Sequence, residues 1–361
     1  MAGAGNDDLL GFVASMAGEG TLRVEENLGE GFVRLRVAEA ERRQAKHDIR
    51  CVEDSVIELL RNSRDAGARR IFLACSREGE ARTLVCLDDG SGVPEDMRER
   101  IFDARVTSKL DSAHVDRWGM HGRGMALYSI RENAKLARVE DSGTGKGTSI
   151  RVVFDVSELP ERADQSSWPA VGTNDDGERS VVRGPHNIIR TCCEFALEER
   201  GRLELYVGSP AEVVATVRRR VTPEVPESKL LFIKDLSVLP LEDRLALAAD
   251  AEELRDVAAG LGLEMSERTA HRIMAGQIAP LRSVAQVLSH RSGERDARQV
   301  DLAADRRGLR ISREDSEAFS RIMERDFRYI ADRYYLTLAQ EPKVRVSRDR
   351  VTVTFEVEKG D

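Results

Sequence analysis

The chain has 361 residues, of which 41% are hydrophobic and 33% charged, with a formal net charge of -8 at neutral pH. That balance is ordinary for a soluble protein of two or three domains; it argues against a protein coated in nucleic acid, while leaving room for a local basic patch. No apolar run approaches a membrane span and the start lacks the basic flank of a signal peptide, so a cytoplasmic protein with no membrane partner is expected.

The five cysteines, Cys51, Cys75, Cys86, Cys192 and Cys193, show no metal-ligand spacing and fit reduced thiols. Residues 1–20 are small and polar. Alternation in FVRLRV, after the turn-like Gly29-Glu30-Gly31, predicts a strand, and a charged run then leads to VIELLRNSRDAGA. Here Val52, Val56, Leu59 and Leu60 recur at helical spacing, and Gly67 supplies a C-terminal stop. Glu58, Asn62 and Asp65 project from a neighbouring face of that helix. Two carboxylates and a carboxamide there suit either a solvated face or a hydrated magnesium ion beside phosphate, since magnesium prefers oxygen ligands and keeps several waters.

Two strands follow, Arg70 to Cys75 and Thr83 to Asp88, and the second runs into Asp88-Asp89-Gly90-Ser91-Gly92. Glycines in such a turn let a ligand ring lie against the main chain, and a carboxylate at the strand end can accept from an exocyclic amine. After RERIFDARVTSK comes WGMHGRGMALYSI, in which Gly119, Gly122 and Gly124 precede an amphipathic helix. Backbone N–H groups at a helix start are a ready site for phosphate. The spacing is neither a Walker loop nor a dinucleotide fingerprint. A further glycine turn, SGTGKG, then leads through Thr148 into an alternating strand.

Four such signals in fixed order resemble the GHKL ATPase superfamily of DNA gyrase, heat-shock chaperones, sensor histidine kinases and MutL. The resemblance runs over roughly residues 20–158, and ELLRNSRDAGA is most similar to the MutL and chaperone form of the first motif. It implies an α+β fold in which a mixed, mainly antiparallel sheet carries helices on one face with nucleotide between them. It further implies ATP and magnesium as ligands, with Glu58 as general base, Asn62 on the magnesium and Asp88 on the adenine amine. Gly92 would pass close to the base, Gly122 and Gly124 would line the phosphates, and Thr148 would support the adenine pocket. Asp65, Gly90, Thr107, Ser108, Lys109, Gly119, Arg123 and Met125 complete the residues placed around ATP, with Asp65 bracing the helix end.

The domains read as 1–158 for ATP binding, 159–185 as a linker or long loop and 186–235 as a small α/β unit. A helical region, 236–300, and a C-terminal helix with a β-hairpin, 301–361, follow. In the α/β unit Lys234 is a candidate for γ-phosphate contact by analogy with the MutL and gyrase transducer. LRDVAAGLGLEMSERTAHRIMAG is similar to a helix-turn-helix with a turn two residues longer than usual. From Glu242 to Arg272, however, eight acids face four arginines, which favours a packed helical pair over a phosphate-binding one. From 282 to 313 eight arginines face four acids, so DNA contact is expected there if anywhere. The function expected is a magnesium-dependent ATP hydrolase working as a nucleotide-driven switch, with a second copy of the chain as a candidate partner. The alternatives are a histidine-kinase-like signalling protein and a DNA-binding regulator that senses ATP. His47 lies only eleven residues ahead of Glu58, too close for a phosphoacceptor helix, which ranks the kinase reading lower.

Overall fold

A computed structural model of the chain describes residues 24–37, 39–108, 114–116, 119–121, 124–162, 164–173, 179–223, 235–290, 302, 313–334, 336–346 and 351–359. It divides into two units, Met1–Ala304 and Asp305–Asp361. The first opens with antiparallel strands β1 (Val24–Gly29) and β2 (Phe32–Leu35), then helices α1 (Glu39–Asp48) and α2 (Val52–Asp65). Next come β3 (Arg70–Glu78), β4 (Ala81–Asp88), the short β5 (Val106–Thr107) on β2, and a hairpin of β6 (His114–Asp116) and β7 (Gly119–His121). Helix α3 (Ala126–Asn133) and strands β8 (Leu136–Gly143) and β9 (Gly147–Asp155) complete the segment expected to bind nucleotide.

Helix α2 forms as its spacing predicts: Val52, Val56, Leu59 and Leu60 are all buried. Its end is a glycine stop. Gly67 takes φ +74, Gly67 N–H donates to the Arg64 carbonyl at 2.9 Å, and Ala68 N–H donates to the Ser63 carbonyl at 3.1 Å, the paired bonds that close a helix through a left-handed residue.

The start of the stretch read as a linker or long loop is bonded to α2. The Pro160 carbonyl accepts the first N–H of α2, from Val52 at 3.1 Å, and the Glu53 carboxylate takes Arg162 N–H at 3.1 Å and the Gln165 amide at 2.6 Å. Strands β10 (Ala170–Thr173) and β11 (Arg179–Arg183) then pair, and buried Asn187 caps α4 (Ile188–Glu198) through Arg190 N–H. Strand β12 (Glu204–Gly208) lies parallel to β3 in the main sheet, whose order is β12-β3-β4-β9-β8 with every other pair antiparallel. The α/β segment after 186 therefore shares a core with the segment before 158.

Helices cover both faces of this sheet, not one. Ile71, Leu73, Cys75, Leu84, Cys86, Ile150 and Val152 pack with α2 and α4. Their neighbours Phe72, Ala74, Val85 and Leu87 pack in a second core with α5 (Pro210–Arg220), α6 (Leu241–Leu247), α7 (Ala251–Gly260) and α8 (Glu267–Met274). Side chains alternate across a strand, so a strand buried along consecutive positions must be covered twice. The unbroken apolar run IFLAC in β3 carried that signal. The helix-turn-helix-like pair α7–α8 is part of this second layer. Leu254, Ala258, Leu261, Leu263, Ala270 and Ile273 are buried, Ser266 caps α8, and Arg268, His271 and Arg272 remain exposed. Helix α9 (Val284–His290) ends the described part of this region apart from Leu302, so most of the arginine-rich stretch 282–313, and Lys234, lie outside the described residues.

The second unit has helix α10 (Arg313–Tyr334) and strands β13 (Leu336–Leu338), β14 (Lys343–Val346), β15 (Val351–Thr354) and β16 (Val357–Lys359). The expected hairpin is β14–β15, and Phe327 of α10 stacks on Phe355 at 4.8 Å between ring centroids.

Two glycine turns interlock at the end of β4 and β9. Gly92 has φ +75, and a Cβ there would stand 1.9 Å from the Gly143 carbonyl oxygen; at Gly147, φ +83, it would stand 2.1 Å from the Asp88 carbonyl oxygen. Gly145 shares the left-handed conformation, φ +71, but faces open space. We expect Gly92→Ala to cost upward of roughly 2 kcal/mol, and Gly145→Ala only about 1 kcal/mol, the backbone penalty alone. Urea denaturation of the two variants side by side checks this; equal losses would mean the turns are not interlocked.

Candidate functional site

A cavity of about 910 Å³ opens where β4 ends and β9 begins, walled by α1, α2, the 101–108 segment and the start of α3. Of the residues singled out in the sequence, Glu58, Asn62, Asp65, Asp88, Gly92, Thr107, Ser108, Gly124, Met125 and Thr148 all line it.

The floor is set by Asp88, which is only 6% exposed. Its carboxylate accepts from the Ser63 hydroxyl at 2.7 Å and from Gly90 N–H at 2.9 Å. Burial nevertheless pushes its pKa up to about 6, because these bonds only partly replace the lost water. Thr148 faces Asp88 across the β4–β9 register, and its hydroxyl lies 3.2 Å from that of Ser142. Ser142 joins the turns: its oxygen accepts Val93 N–H at 2.7 Å and its hydroxyl donates to the Gly147 carbonyl at 2.8 Å. Gly90 is not in the cavity wall; a Cβ there would come 2.9 Å from the Ala66 Cβ, so it lets the turn pack on the end of α2. Neighbouring Asp89 is also outside the wall, and its carboxylate accepts Arg69 and Arg70 N–H at 2.7 and 2.8 Å.

Along α2, Glu58 and Asn62 stand one turn apart on the cavity side. Glu58 is ion-paired with Arg61 at 2.7 Å, and Arg61 is itself buried. Asp65 contacts Arg64 at 3.0 Å, and Arg64 reaches Glu199 just past α4 at 3.4 Å, an arrangement that braces the helix end.

The third wall joins β5 to α3. Gly124, φ +70, packs so tightly that a Cβ would sit 2.7 Å from the Val106 carbonyl oxygen, and its own carbonyl accepts Arg105 N–H at 2.8 Å. Helix α3 starts at Met125 with no side chain capping it, so its first N–H groups open toward the cavity lined by Ala126 and Leu127. Gly119 pairs with Asp116 in the β6–β7 hairpin. Lys109, Gly122 and Arg123 lie outside the described residues.

Residues 49–166 match the family model described as histidine kinase-, DNA gyrase B- and HSP90-like ATPase. This part of the chain is similar to the GHKL ATPase domains. Its relatives include the DNA mismatch repair protein MutL of Thermus thermophilus, 41% identical over 85 residues, which are 24% of this chain and 15% of the relative. MutL of Sinorhizobium fredii is 28% identical over 223 residues, 58% of this chain and 33% of the relative. The chain thus matches a third or less of these relatives' length. A solved structure titled "Crystal Structure of N terminal domain of a DNA repair protein" aligns with 16% identity and a TM-score of 0.25, over 45% of this chain and 62% of that one. The GHKL domain is the ATP-binding module of its family, and among the described residues no helix is long and apolar enough to cross a membrane.

Ser63, Ser142, Arg61 and Arg105 are wall or support residues that the motif reading passed over. Ser63 carried a readable signal: it falls one turn after Leu59, on the apolar stripe, where a hydroxyl needs a buried partner.

In the folded protein Asp88 holds its proton up to about 6, against an ordinary value of 3.8. Its contribution to stability is therefore present below about pH 4 and lost as pH rises through about 6. A ligand amine that donates to the ionised carboxylate reverses the preference and expels the proton. Adenosine, which has no phosphate to titrate, is expected to bind about ten-fold more tightly at about pH 7 than at about pH 5. In Asp88→Asn the affinity should fall by about 1.5–3 kcal/mol and the pH dependence vanish. Calorimetric titration at the two pH values checks both, and a pH-independent wild type would remove the carboxylate from the adenine contact.

Proposed function

We propose that this chain is a magnesium-dependent ATP hydrolase whose nucleotide cycle drives a conformational switch. The observation that carries the reading is the convergence on one cavity of the Asp88 floor and the Glu58–Asn62 face of α2, with the uncapped start of α3 opposite. The buried Asp88 carboxylate accepts the adenine amine, and Thr148 supports that end. The freedom of Gly124 from a side chain, and the N–H groups that open α3, suit phosphate, with Thr107 and Ser108 alongside.

The residues present also fit magnesium. Asn62 offers a carboxamide oxygen in the cavity wall, and one protein ligand is enough for an ion that takes phosphate and water oxygens for the rest. Bound there, the ion would neutralise phosphate charge. Glu58 then accepts a proton from the attacking water, with Arg61 fixing the carboxylate's orientation from the same helix. Asp65 keeps the end of α2 in place through Arg64 and does not enter the chemistry.

A nucleotide-driven homodimer in the cytoplasm is part of this reading, and the five buried free thiols support the compartment. Because the relatives are matched only in part, their mismatch-repair role is not carried over. The DNA-binding alternative rests on the 282–313 composition alone, and the exposed face of α8 mixes Arg268, His271 and Arg272 with Glu267.

Glu58→Gln keeps the shape and removes the basicity. Nucleotide should bind with near-native affinity while single-turnover hydrolysis slows by ~10²–10⁴-fold. Mass measurement with a non-hydrolysable ATP analogue should show the dimer in both proteins. Hydrolysis within a few-fold of wild type would assign the chain to nucleotide sensing.

A further inference from the structure

We propose that Arg105 reads the phosphate end of the nucleotide, exchanging the carboxylate of Glu41 for phosphate oxygens when the cavity fills. The inference rests on the nucleotide reading of the cavity and adds to it a residue that the motifs gave no role.

Arg105 lines the cavity beside Gly124 and Val106, and its side chain is only 4% exposed. A guanidinium has five N–H donors. In this structure its side chain donates through Nη2 to Glu41 of α1, while Nε is buried and has no acceptor. A buried donor without an acceptor is costly, and a planar cation with spare donors in a cavity wall matches a phosphate's paired oxygens.

The backbone is committed to this placement. Arg105 has φ +63, a conformation side-chain-bearing residues rarely adopt, and both of its main-chain groups are engaged. Its N–H donates to the Gly124 carbonyl at 2.8 Å, and its carbonyl accepts Leu35 N–H at 2.9 Å. The first bond ties the arginine to the residue just before the N-cap of α3, so guanidinium and helix N-terminus belong to one corner of the cavity.

The other cations of the wall are differently placed. Arg61 is held on Glu58 at 2.7 Å, and Arg50 is 82% exposed beside Asp54. Glu41 is 38% exposed and sits on α1, which also supplies Gln44, His47 and Asp48 to the wall. Glu41 thus competes with phosphate for the same donors.

Binding of adenosine, ADP and a non-hydrolysable ATP analogue to wild type, Arg105→Ala and Glu41→Gln tests the exchange. Arg105→Ala should weaken the analogue about ten- to a hundred-fold and leave adenosine unchanged. Glu41→Gln, which keeps the arginine and removes its charged competitor, should tighten the analogue about two- to ten-fold. Equal losses for adenosine and analogue in Arg105→Ala, or weaker analogue binding in Glu41→Gln, would overturn the proposal and make the pair a strut between α1 and β5. An analogue affinity that Arg105→Ala leaves unchanged also overturns it, while the nucleotide reading stands. Wild type that binds neither adenosine nor analogue defeats both.

Discussion

A carboxylate buried at the end of β4 is the constraint around which this domain is arranged. Asp88 cannot be hydrated at 6% exposure, so its oxygens must find donors in the protein, and the chain supplies them from two directions. Ser63 comes from α2 and Gly90 N–H from the turn that follows the strand. Satisfying the group therefore fixes the helix against the sheet and folds the turn back on itself. The turn is then locked by Gly92 and Gly147, which admit carbonyl oxygens where any side chain would collide. Even so the donors fall short of water, and burial raises the carboxyl's pKa.

The same two strands serve both faces of the sheet, and consecutive residues divide the work. Asp88 and Thr148 face the cavity. Their neighbours hold the helical layer on the far side: Asp89 lies 3.3 Å from Arg70, which also binds Glu242 of α6, and the Ser149 hydroxyl donates at 2.8 Å to the Leu261 carbonyl after α7. Lys146, at the tip of the turn between β8 and β9, receives Leu241 N–H at 2.9 Å on its carbonyl. A shift of the β4 and β9 ends is thereby felt on both sides, because a strand cannot move one face without the other. Two acids of the α6–α8 segment take part in this arrangement. Their carboxylates meet sheet arginines: Glu242 meets Arg70, and Glu264 meets Arg151 at 2.7 Å.

The family model stops at residue 166. Beyond it the chain still completes the same sheet through β12 and the same core through α4. The surroundings of the GHKL domain are thus part of its fold, and the 159–167 segment that caps α2 is as much a support of the Glu58 helix as the helix's own apolar stripe.

The nucleotide motifs were legible in the sequence because each depends on local chemistry. The apolar period of α2 fixes which residues turn inward, Gly67 stops the helix, and the glycines of the turns mark positive φ or close approach before any partner is known. Most of the expected cavity residues follow from those local rules, and so does the C-terminal helix with its hairpin. What lay beyond them depends on residues far apart in the chain. A second helical layer on the sheet, the parallel pairing of β12 with β3, and the capping of α2 by Pro160 are choices among partners that propensity does not rank. Arg105 shows the limit most clearly. Nothing in FDARVTSK marks a left-handed, buried arginine; only the ring formed by Gly124, Leu35 and Glu41 makes it one, because the strain of its backbone is tolerable only where long-range hydrogen bonds hold it.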